Sequence, residues 1–367
     1  MNFITPPTKI FGLDLSDLSV KAVQIREKKD QFELQAWNSS TLPSGLIEEG
    51  IIKDFKETAL AIKKLIRTSQ KEFTAKYVVL SLPETKTFIK VIKAPKQKGS
   101  QREAIIRELP KHVPVDIQDI ELDWQKLTGR DSGKFLIGIV PKKVADGYIR
   151  VAKMAGLRPV ALEIEAQAVV RSIIASENFN QKNLIKNLFG KNKNEGVSPS
   201  ADPARIILDL GATRTSLILL DGGVIQFTNS LSNISGEIIT QDIAKIMELP
   251  CKEAEKIKKI CGDSPKKCKG EIKKIIKTTV AALASEVINA EAFYTSHFNK
   301  NTKDLEIILC SGGSNLIGIS NDLEKLTNRK TVLANPLVNL GNTNDEKAKK
   351  IFSPYTTAIG LALYKVN

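Results

Sequence analysis

The sequence lacks any run of about 18 apolar residues of the kind that crosses a membrane. Its first residues, MNFITPPTKIFGLDLS, also lack the charged segment followed by an apolar segment that marks a secretory signal peptide. These absences argue against a membrane-spanning or a secreted protein. We therefore expect a cytoplasmic chain, which can still reach a membrane through a partner.

Cysteine and histidine are scarce, with four and two residues respectively. The cysteines contain no C-x-x-C pair; they are Cys251, Cys261, Cys268 and Cys310. A zinc site needs closely spaced Cys or His ligands, so no such site is expected. We predict that all four cysteines are reduced structural thiols.

Aromatic residues make up only 5% of the chain, and 55 basic residues outnumber 41 acidic ones, which gives a formal net charge of +14. Such a charge favours nucleic acid, anionic membrane surfaces or acidic partner segments. No stretch interleaves aromatic residues with arginine, as grooves for single-stranded nucleic acid do. The lysine-rich stretch KEAEKIKKICGDSPKKCKGEIKKIIK, at 252–277, is more simply interpreted as a solvated helix face. Nucleic acid is therefore not the expected partner.

Apolar residues are plentiful at 42%, and 367 residues suffice for roughly two to three domains. Strands joined by polar turns are predicted at 9–16, 19–29 and 31–42. A helix is predicted at 54–69, where Asp54 can cap the first turn and apolar residues recur at helical spacing. The buried strand YVVLSLP follows.

The pattern from 85 to 159 is strand, helix, two strands and a helix, which predicts a compact α+β unit inserted into the chain. An extended run then leads into a helix within 160–180. Residues 181–204 are rich in Asn, Lys, Ser and Pro and predict a mobile loop between two lobes. The alternative is an amphipathic piece that touches a membrane. Its apolar residues are Leu184, Ile185, Leu188 and Phe189.

The stretch ARIILDLGATRTSLILLDGGVIQFTNSL, which begins at Ala204, repeats the opening order of strand, turn, strand, turn and strand. Asp209 stands in this second copy where Asp14 stands in the first. Such a duplication predicts two similar lobes that face one another across a cleft.

Each of the two turns combines an acidic residue with small residues, which lets backbone N–H groups and hydroxyls approach phosphate oxygens. The small residues are Ser16 and Ser19 in the first copy and Gly211, Thr213 and Thr215 in the second. Asp14 and Asp209 can hold Mg²⁺ directly or through water. One such turn is common in β-hairpins, but two at matching places predict a phosphate-binding cleft.

Two later segments add candidate nucleotide contacts. Glu255 and Lys258 lie one helical turn apart and can bracket a ribose and an adenine edge, or form an ordinary surface salt bridge. LEIILCSGGSNLIG runs from a strand into Gly312, Gly313 and Ser314, where the glycines let a base or phosphate approach the backbone. An ordinary strand-to-helix turn is the alternative there.

These motifs resemble the actin-like ATPase superfamily, and within it the PilM family of type IV pilus assembly proteins, relatives of the division protein FtsA. GLDLSDLSVKAV is similar to the first phosphate motif, LDLGATRTSLIL to the second, SGGSNLIG to the adenosine motif and AEKIKKICG to the helix beside the base. The resemblance implies an α/β, actin-like (ribonuclease H-like) two-lobed fold that binds ATP and Mg²⁺.

The inserted unit resembles the subdomain that PilM and FtsA carry in place of an actin subdomain, which Hsp70 proteins and sugar kinases lack. The resemblance implies a first lobe at 1–84 and 160–180, an inserted subdomain at 85–159 and a second lobe at 205–345. The last segment, 346–367, contains YTTAIGLAL and is expected to pack back on the first lobe.

Two places depart from the family pattern. Ser16 replaces a usual glycine, and Asp17 adds a negative charge near the expected phosphates, which Lys21 or Mg²⁺ must offset. In the second lobe, Ser235 and Gly236 stand where the family commonly has two glycines. We expect Gly236 still to approach a phosphate closely.

Glu165 aligns with the acidic residue that many superfamily members use to orient the attacking water, and Glu163 is interpreted as its solvent-facing neighbour. No arginine finger is evident, so any Mg²⁺-dependent ATP hydrolysis is expected to be slow.

The resemblance implies a scaffold of the inner-membrane pilus complex that binds the N-terminal tail of a PilN-type membrane protein. Its groove is expected between the first lobe and the inserted subdomain, with walls at Ala104–Leu109 and Ile120–Trp124. An actin-like ATPase or a filament-forming protein of the FtsA type, with self-association, is the alternative.

Overall fold

The computed structural model describes residues 9–28, 31–94, 100–112, 119–128, 133–175, 203–262, 264, 266–298, 302–341 and 345–364. The strands are β1 (Ile10–Ser16), β2 (Ser19–Lys28), β3 (Gln31–Thr41), β4 (Ile47–Glu48), β5 (Ile51–Ile52), β6 (Tyr77–Leu82), β7 (Phe88–Lys93), β8 (Ile120–Lys126), β9 (Lys134–Pro141), β10 (Arg158–Ile164), β11 (Arg205–Leu210), β12 (Thr215–Asp221), β13 (Val224–Leu231), β14 (Glu306–Cys310) and β15 (Thr331–Leu333). The helices are α1 (Phe55–Arg67), α2 (Gln101–Glu108), α3 (Lys142–Met154), α4 (Glu165–Ile173), α5 (Gly236–Ile246), α6 (Cys251–Cys261), α7 (Glu271–Phe298), α8 (Ile319–Thr327), α9 (Glu346–Phe352) and α10 (Thr356–Ala362).

None of these helices combines the length and the apolar character needed to cross a membrane. The loop predicted at 181–204 lies outside the described residues, apart from its last two residues.

The first half of the chain builds a five-stranded sheet in the order β10-β6-β1-β2-β3. β1 and β2 form an antiparallel hairpin that sets Asp14 opposite Lys21, while β6 runs parallel to both β1 and β10. α1 follows Asp54, whose side chain accepts the Glu57 N–H at 2.9 Å. α1 and α3 pack on this sheet, and Ile62 is fully buried in their shared core. The predicted opening strands and helix are confirmed.

An eight-stranded sheet, in the order β15-β14-β11-β12-β13-β7-β9-β8, holds the second half. β11, β12 and β13 repeat the antiparallel arrangement of β1, β2 and β3, and β14 lies parallel to β11 as β6 lies parallel to β1. The long helix α7 covers this sheet with buried residues at helical spacing. These are Ile272, Ile276, Val280, Leu283 and Val287.

The strands of the 85–159 segment continue the second sheet, because β7 pairs with β13 through Lys90 and Phe227. Under α2 these strands form a separate apolar cluster that includes Ile105 and Leu109. α3 packs elsewhere, since its Tyr148 is buried in the core of the first sheet. The segment therefore contacts both halves of the molecule.

The C-terminal helix α10 crosses α4 at a very short distance. A β-carbon on Gly360 would lie 1.8 Å from the Ala168 carbonyl oxygen, so this crossing requires glycine. Arg171 of α4 donates to the Gly360 carbonyl at 2.9 Å and forms a buried ion pair with Glu163. The interpretation of Glu163 as a solvent-facing residue is therefore wrong, because its carboxylate anchors the arginine that ties α10 down.

Cys261 and Cys268 form a disulfide, with Cα atoms 5.8 Å apart, so the prediction that all four cysteines are reduced is wrong. α6 ends at Cys261, and the positive φ of +55° at the next residue, Gly262, lets the chain turn away from the helix axis. Cys251 and Cys310 are free thiols.

Candidate functional site

A cavity of about 790 Å³ lies between the two halves, and both acidic turns line it. Glu165 lines it too, and so do nearly all of the predicted nucleotide contacts. These are Asp14, Ser16, Ser19, Lys21, Asp209, Gly211, Thr213, Thr215, Gly236, Glu255, Lys258, Gly312 and Gly313. Ser314 does not line the cavity. Its hydroxyl donates to the Ser311 carbonyl at 2.7 Å, which stabilises the glycine turn from behind.

The carboxylate of Asp14, in the first turn, is already compensated. The Lys21 ammonium lies 3.3 Å from Asp14 Oδ2, and the Ser81 hydroxyl donates to Oδ1 at 3.1 Å. The Ser16 and Ser19 hydroxyl oxygens lie 2.8 Å apart and bond to each other. The first turn therefore presents a neutralised carboxylate and a linked pair of hydroxyls.

Asp17 is directed away from the cavity. Its Oδ1 accepts the Gly50 N–H at 2.9 Å, and Arg214 Nη1 lies 3.8 Å from its Oδ2. The expectation that Asp17 places its charge beside the phosphates is therefore wrong, because the Gly50 N–H and the arginine take up that charge.

Backbone hydrogen bonds fold the second turn against the start of α5. The Gly211 N–H donates to the Arg214 carbonyl at 3.0 Å, and the Gly236 N–H donates to the Gly211 carbonyl at 3.1 Å. Ser235 caps α5, since its hydroxyl accepts the Ile238 N–H at 3.2 Å. The N-terminal end of α5 borders the cavity, where its dipole favours an anion.

Asp209, at the end of β11, has no such compensation. Burial raises its pKa and the nearby Asp14 carboxylate adds to the rise, while a hydrogen bond with Ser311 and the charges of Lys21 and Arg214 oppose it. In the part of the chain that the structure describes, no basic group lies within ion-pair distance of Asp209. A divalent cation would neutralise this half-buried charge.

The donor set fits Mg²⁺ bound together with a nucleotide. Within the described ranges, no three Asp, Glu, His or Cys side chains cluster closely enough to hold a metal ion by themselves. Asp14 and Asp209 would supply two carboxylates, and water and phosphate oxygens would complete the octahedral shell that Mg²⁺ prefers.

Beside the N-terminal end of α5, Lys258 is buried in a hydrogen-bonded network. Its ammonium donates to the Gly236 carbonyl at 2.6 Å and to the Thr240 hydroxyl at 2.7 Å, and it pairs with Glu255 at 2.6 Å. Burial lowers the pKa of Lys258. The salt bridge considered as an alternative is present, and the same pair forms a wall of the cavity.

Glu165 is the first residue of α4, and an arginine holds its carboxylate. Arg214 Nη2 lies 3.0 Å from each carboxylate oxygen, and the Glu84 N–H donates to Oε2 at 3.4 Å. Burial raises the pKa of Glu165 to about 7, although the guanidinium acts in the opposite direction. Glu165 is thus a buried acid with both oxygens engaged.

The sequence patterns do not single out Arg214, which is the main addition that the structure makes to the site. Arg214 belongs to the second turn and contacts Glu165 and Asp17 of the first half. Burial acts to lower its pKa, but the two carboxylates raise it. The one sequence signal for Arg214 as a site residue is its position inside the motif LDLGATRTSLIL. Arg214 therefore forms a charged link across the cleft, which we call the cross-lobe link.

Comparison with solved structures shows the fold. The structure is similar to the PilM-PilN type IV pilus biogenesis complex, with a TM-score of 0.78 and 23% identity over 97% of this chain and 98% of that one. EutJ from Carboxydothermus hydrogenoformans gives a TM-score of 0.57 at 15% identity, covering 98% and 91% of the two chains. MreB5 of Spiroplasma citri bound to AMPPNP gives 0.53 at 15% identity, covering 97% and 96%. The predicted actin-like, two-lobed α/β fold is confirmed.

Comparison of the sequence with known proteins shows the family. The cell division protein FtsA of Streptococcus pneumoniae serotype 2 (strain D39 / NCTC 7466) is 24% identical over 269 residues, which is 69% of this chain. The match spans only 56% of FtsA. A family model described as "Type IV pilus assembly protein PilM" matches residues 12–366. Because that model spans almost the whole chain, the protein belongs to the PilM family of type IV pilus assembly proteins.

Proposed function

We propose that this chain is a cytoplasmic, ATP-binding scaffold of the type IV pilus inner-membrane assembly complex. It binds the N-terminal tail of a PilN-type membrane protein and through it sits at the inner face of the membrane. The family match over 12–366 and the likeness to a PilM-PilN complex support this role. The main observation in support of the ATP-binding role is the cavity that both acidic turns line.

The phosphates of ATP are proposed to lie between the two turns. Ser16 and Thr213 offer hydroxyls, Gly211 offers close backbone approach, and Lys21 supplies positive charge from the first turn. The N-terminal end of α5 faces the same space through Gly236. The cavity volume of about 790 Å³ is in the range of small-molecule and cofactor sites.

Mg²⁺ would neutralise phosphate charge, held by Asp14 and Asp209. At the base end, Glu255 and Lys258 contact the ribose or adenine edge, and the backbone at Gly312 and Gly313 lies against the base. The charge balance supports this arrangement, because Asp209 is a half-buried carboxylate of the cavity wall without an ion-pair partner among the described residues.

Hydrolysis is proposed to be slow because of how Glu165 is held. This carboxylate would orient a water toward the γ-phosphate, but Arg214 Nη2 lies 3.0 Å from both of its oxygens. Each oxygen keeps an acceptor position for the water, but the adjacent guanidinium charge makes it a weaker acceptor. Glu165→Gln should therefore retain ATP affinity and abolish the small phosphate release of the wild-type protein.

The tail groove is proposed beside α2 and β8. In the described part of the chain, β8 is an edge strand of the eight-stranded sheet. Ile105 and Trp124 are buried in the local core and are not available to a partner, whereas Ile106 and Leu122 are half-buried at its surface. We assign Ile106 and Leu122 as the apolar contacts of the tail.

The test is titration of the full chain with a synthetic peptide of the cytoplasmic tail of the neighbouring inner-membrane protein. Micromolar binding is expected, and Leu122→Ser should weaken it about tenfold, as the loss of a buried apolar contact predicts. Leu60→Ser, at an exposed leucine on α1, is the matched control and should bind normally. Absence of binding at micromolar peptide would contradict the scaffold role.

A further inference from the structure

The lysine-rich stretch folds into one corner of the second half, at the end of α6, the following turn Lys267–Gly270 and the start of α7. We call this the basic corner. Its exposed lysines, apart from those that line the nucleotide cavity, are Lys256, Lys266, Lys267, Lys269, Lys274 and Lys277. Among the described residues from 256 to 277, Glu271 is the exposed acid, and it pairs with Lys274 at 2.8 Å. The corner therefore carries a strong positive charge that lies outside the nucleotide cavity.

Two contacts hold the lysines of the turn against the end of α6. Cys268 is joined to Cys261 by the disulfide, and Lys267 donates to the Ile260 carbonyl at 3.1 Å. The turn therefore cannot move far from the helix, and its charges stay concentrated at one place.

Exposed isoleucines lie at the same place. Ile260 is 63% exposed at the last turn of α6, and Ile317 is 38% exposed. Ile317 borders the helix end, because a β-carbon on Gly262 would lie 2.7 Å from the Ile317 β-carbon. Exposed apolar side chains flanked by lysines are unlike a simply solvated helix face, on which apolar residues face inward.

We propose that the basic corner binds anionic lipid headgroups directly, with Ile260 entering the headgroup boundary. Lysine-rich surfaces with apolar side chains are typical of proteins that lie on anionic membranes. Nucleic acid fits less well, because residues 252–277 contain no arginine and no aromatic side chain for bidentate or stacking contacts. This contact is separate from tail binding and gives the scaffold a second attachment to the membrane.

The test is co-sedimentation of the full chain with vesicles of phosphatidylglycerol and phosphatidylcholine, compared with vesicles of phosphatidylcholine alone. Each lysine near an anionic surface strengthens binding roughly fivefold, so Lys266→Gln, Lys267→Gln and Lys269→Gln combined should weaken it on the order of 100-fold. The matched control combines Lys56→Gln, Lys63→Gln and Lys64→Gln, which removes the same charge from exposed positions on α1. The control should bind like the wild-type protein.

Ile260→Ser should weaken vesicle binding several-fold and leave the lysine-dependent, salt-sensitive part intact. The proposal would be overturned if the wild-type protein did not bind the anionic vesicles, or if the control variant lost as much binding as the corner variant. Equal, corner-dependent binding to a DNA duplex would also overturn it, because the surface would then bind polyanions in general. Thermal melting of both triple variants checks that they remain folded.

Discussion

The two acidic turns have the same strand-turn-strand frame but handle their charges differently. In the first turn, Lys21 lies 3.3 Å from Asp14 and neutralises it. In the second turn, Asp209 is half-buried, its pKa is raised, and its neighbouring cation Arg214 points across the cleft to Glu165. A duplicated frame therefore need not duplicate its electrostatics. The charge of the first turn is balanced without a ligand, whereas that of the second would be balanced by the metal ion proposed above.

The largest expected effect comes from cutting the cross-lobe link. Arg214→Met leaves Glu165 and Asp17 without their shared cation, and breaking a buried ion pair typically lowers the free energy of unfolding by about 3–5 kcal/mol. Chemical denaturation of the nucleotide-free protein measures this loss of unfolding free energy. Arg26→Met, which loses only an exposed ion pair with Glu33 at 2.9 Å, is the control and should change stability by less than about 1 kcal/mol. A similar loss in both variants would show that the link has no special role.

A smaller effect is expected from pH. Burial raises the pKa of Glu165 to about 7 from its usual 4.5, so the folded state binds a proton that the unfolded state has already released. Stability of the nucleotide-free protein should therefore fall as pH rises from 5 to 7, by on the order of 2 kcal/mol. Glu165→Gln should remove this slope. A slope that persists in the variant would assign the titration to another group.

The charge difference between the turns predicts that two matched substitutions change the stability of the nucleotide-free protein in opposite directions. Asp209→Asn removes a half-buried charge that has no ion-pair partner and should stabilise the nucleotide-free protein by about 1 kcal/mol. Asp14→Asn leaves Lys21 without its partner and should destabilise it by about 1 kcal/mol. Melting temperatures of the two variants, side by side, measure the contrast. A change of melting temperature in the same direction for both variants would contradict the proposed charge difference between the turns.

The smallest effect is expected at Ser16, although this residue departs from the family pattern. Its hydroxyl is already bonded within the turn, to the Ser19 hydroxyl at 2.8 Å and to the Ser19 carbonyl at 3.1 Å, so restoring the glycine removes only neutral hydrogen bonds. Ser16→Gly should change ATP affinity by less than about fivefold, which corresponds to roughly 1 kcal/mol. A larger change, measured by calorimetric titration, would show that the Ser16 hydroxyl contributes more to phosphate binding than a neutral hydrogen bond does.

Local patterns predicted the strands and the duplication, because apolar alternation and turn residues are local signals. The actin-like fold was predicted from the resemblance of the motifs to a known family. The same patterns indicated residues that line the cavity, since each acidic turn joins two paired strands in one copy of the duplication. Ser314 shows the limit of this reasoning. It belongs to the same motif as Gly312 and Gly313, yet its hydroxyl turns inward to the Ser311 carbonyl.

What could not be predicted depends on contacts between distant parts of the chain. The direction of Asp17 is set by the Gly50 N–H, and that of Arg214 by Glu165, 49 residues earlier in the chain. The Cys261–Cys268 disulfide depends on a turn at Gly262 that cysteine spacing does not reveal. These features arise from tertiary packing between distant residues, which the periodicity of the sequence does not reveal.

The central claim is that the cavity between the two turns binds MgATP and that Asp209 is the carboxylate that needs the metal. Parallel calorimetric titrations of the wild-type, Asp209→Asn and Asp14→Asn proteins with ATP and Mg²⁺ test it most directly. We predict saturable binding by the wild-type protein, at least about 100-fold weaker binding by Asp209→Asn, and an intermediate loss for Asp14→Asn, whose charge Lys21 already offsets. No saturable binding by the wild-type protein, or equal affinity in all three proteins, would contradict the account.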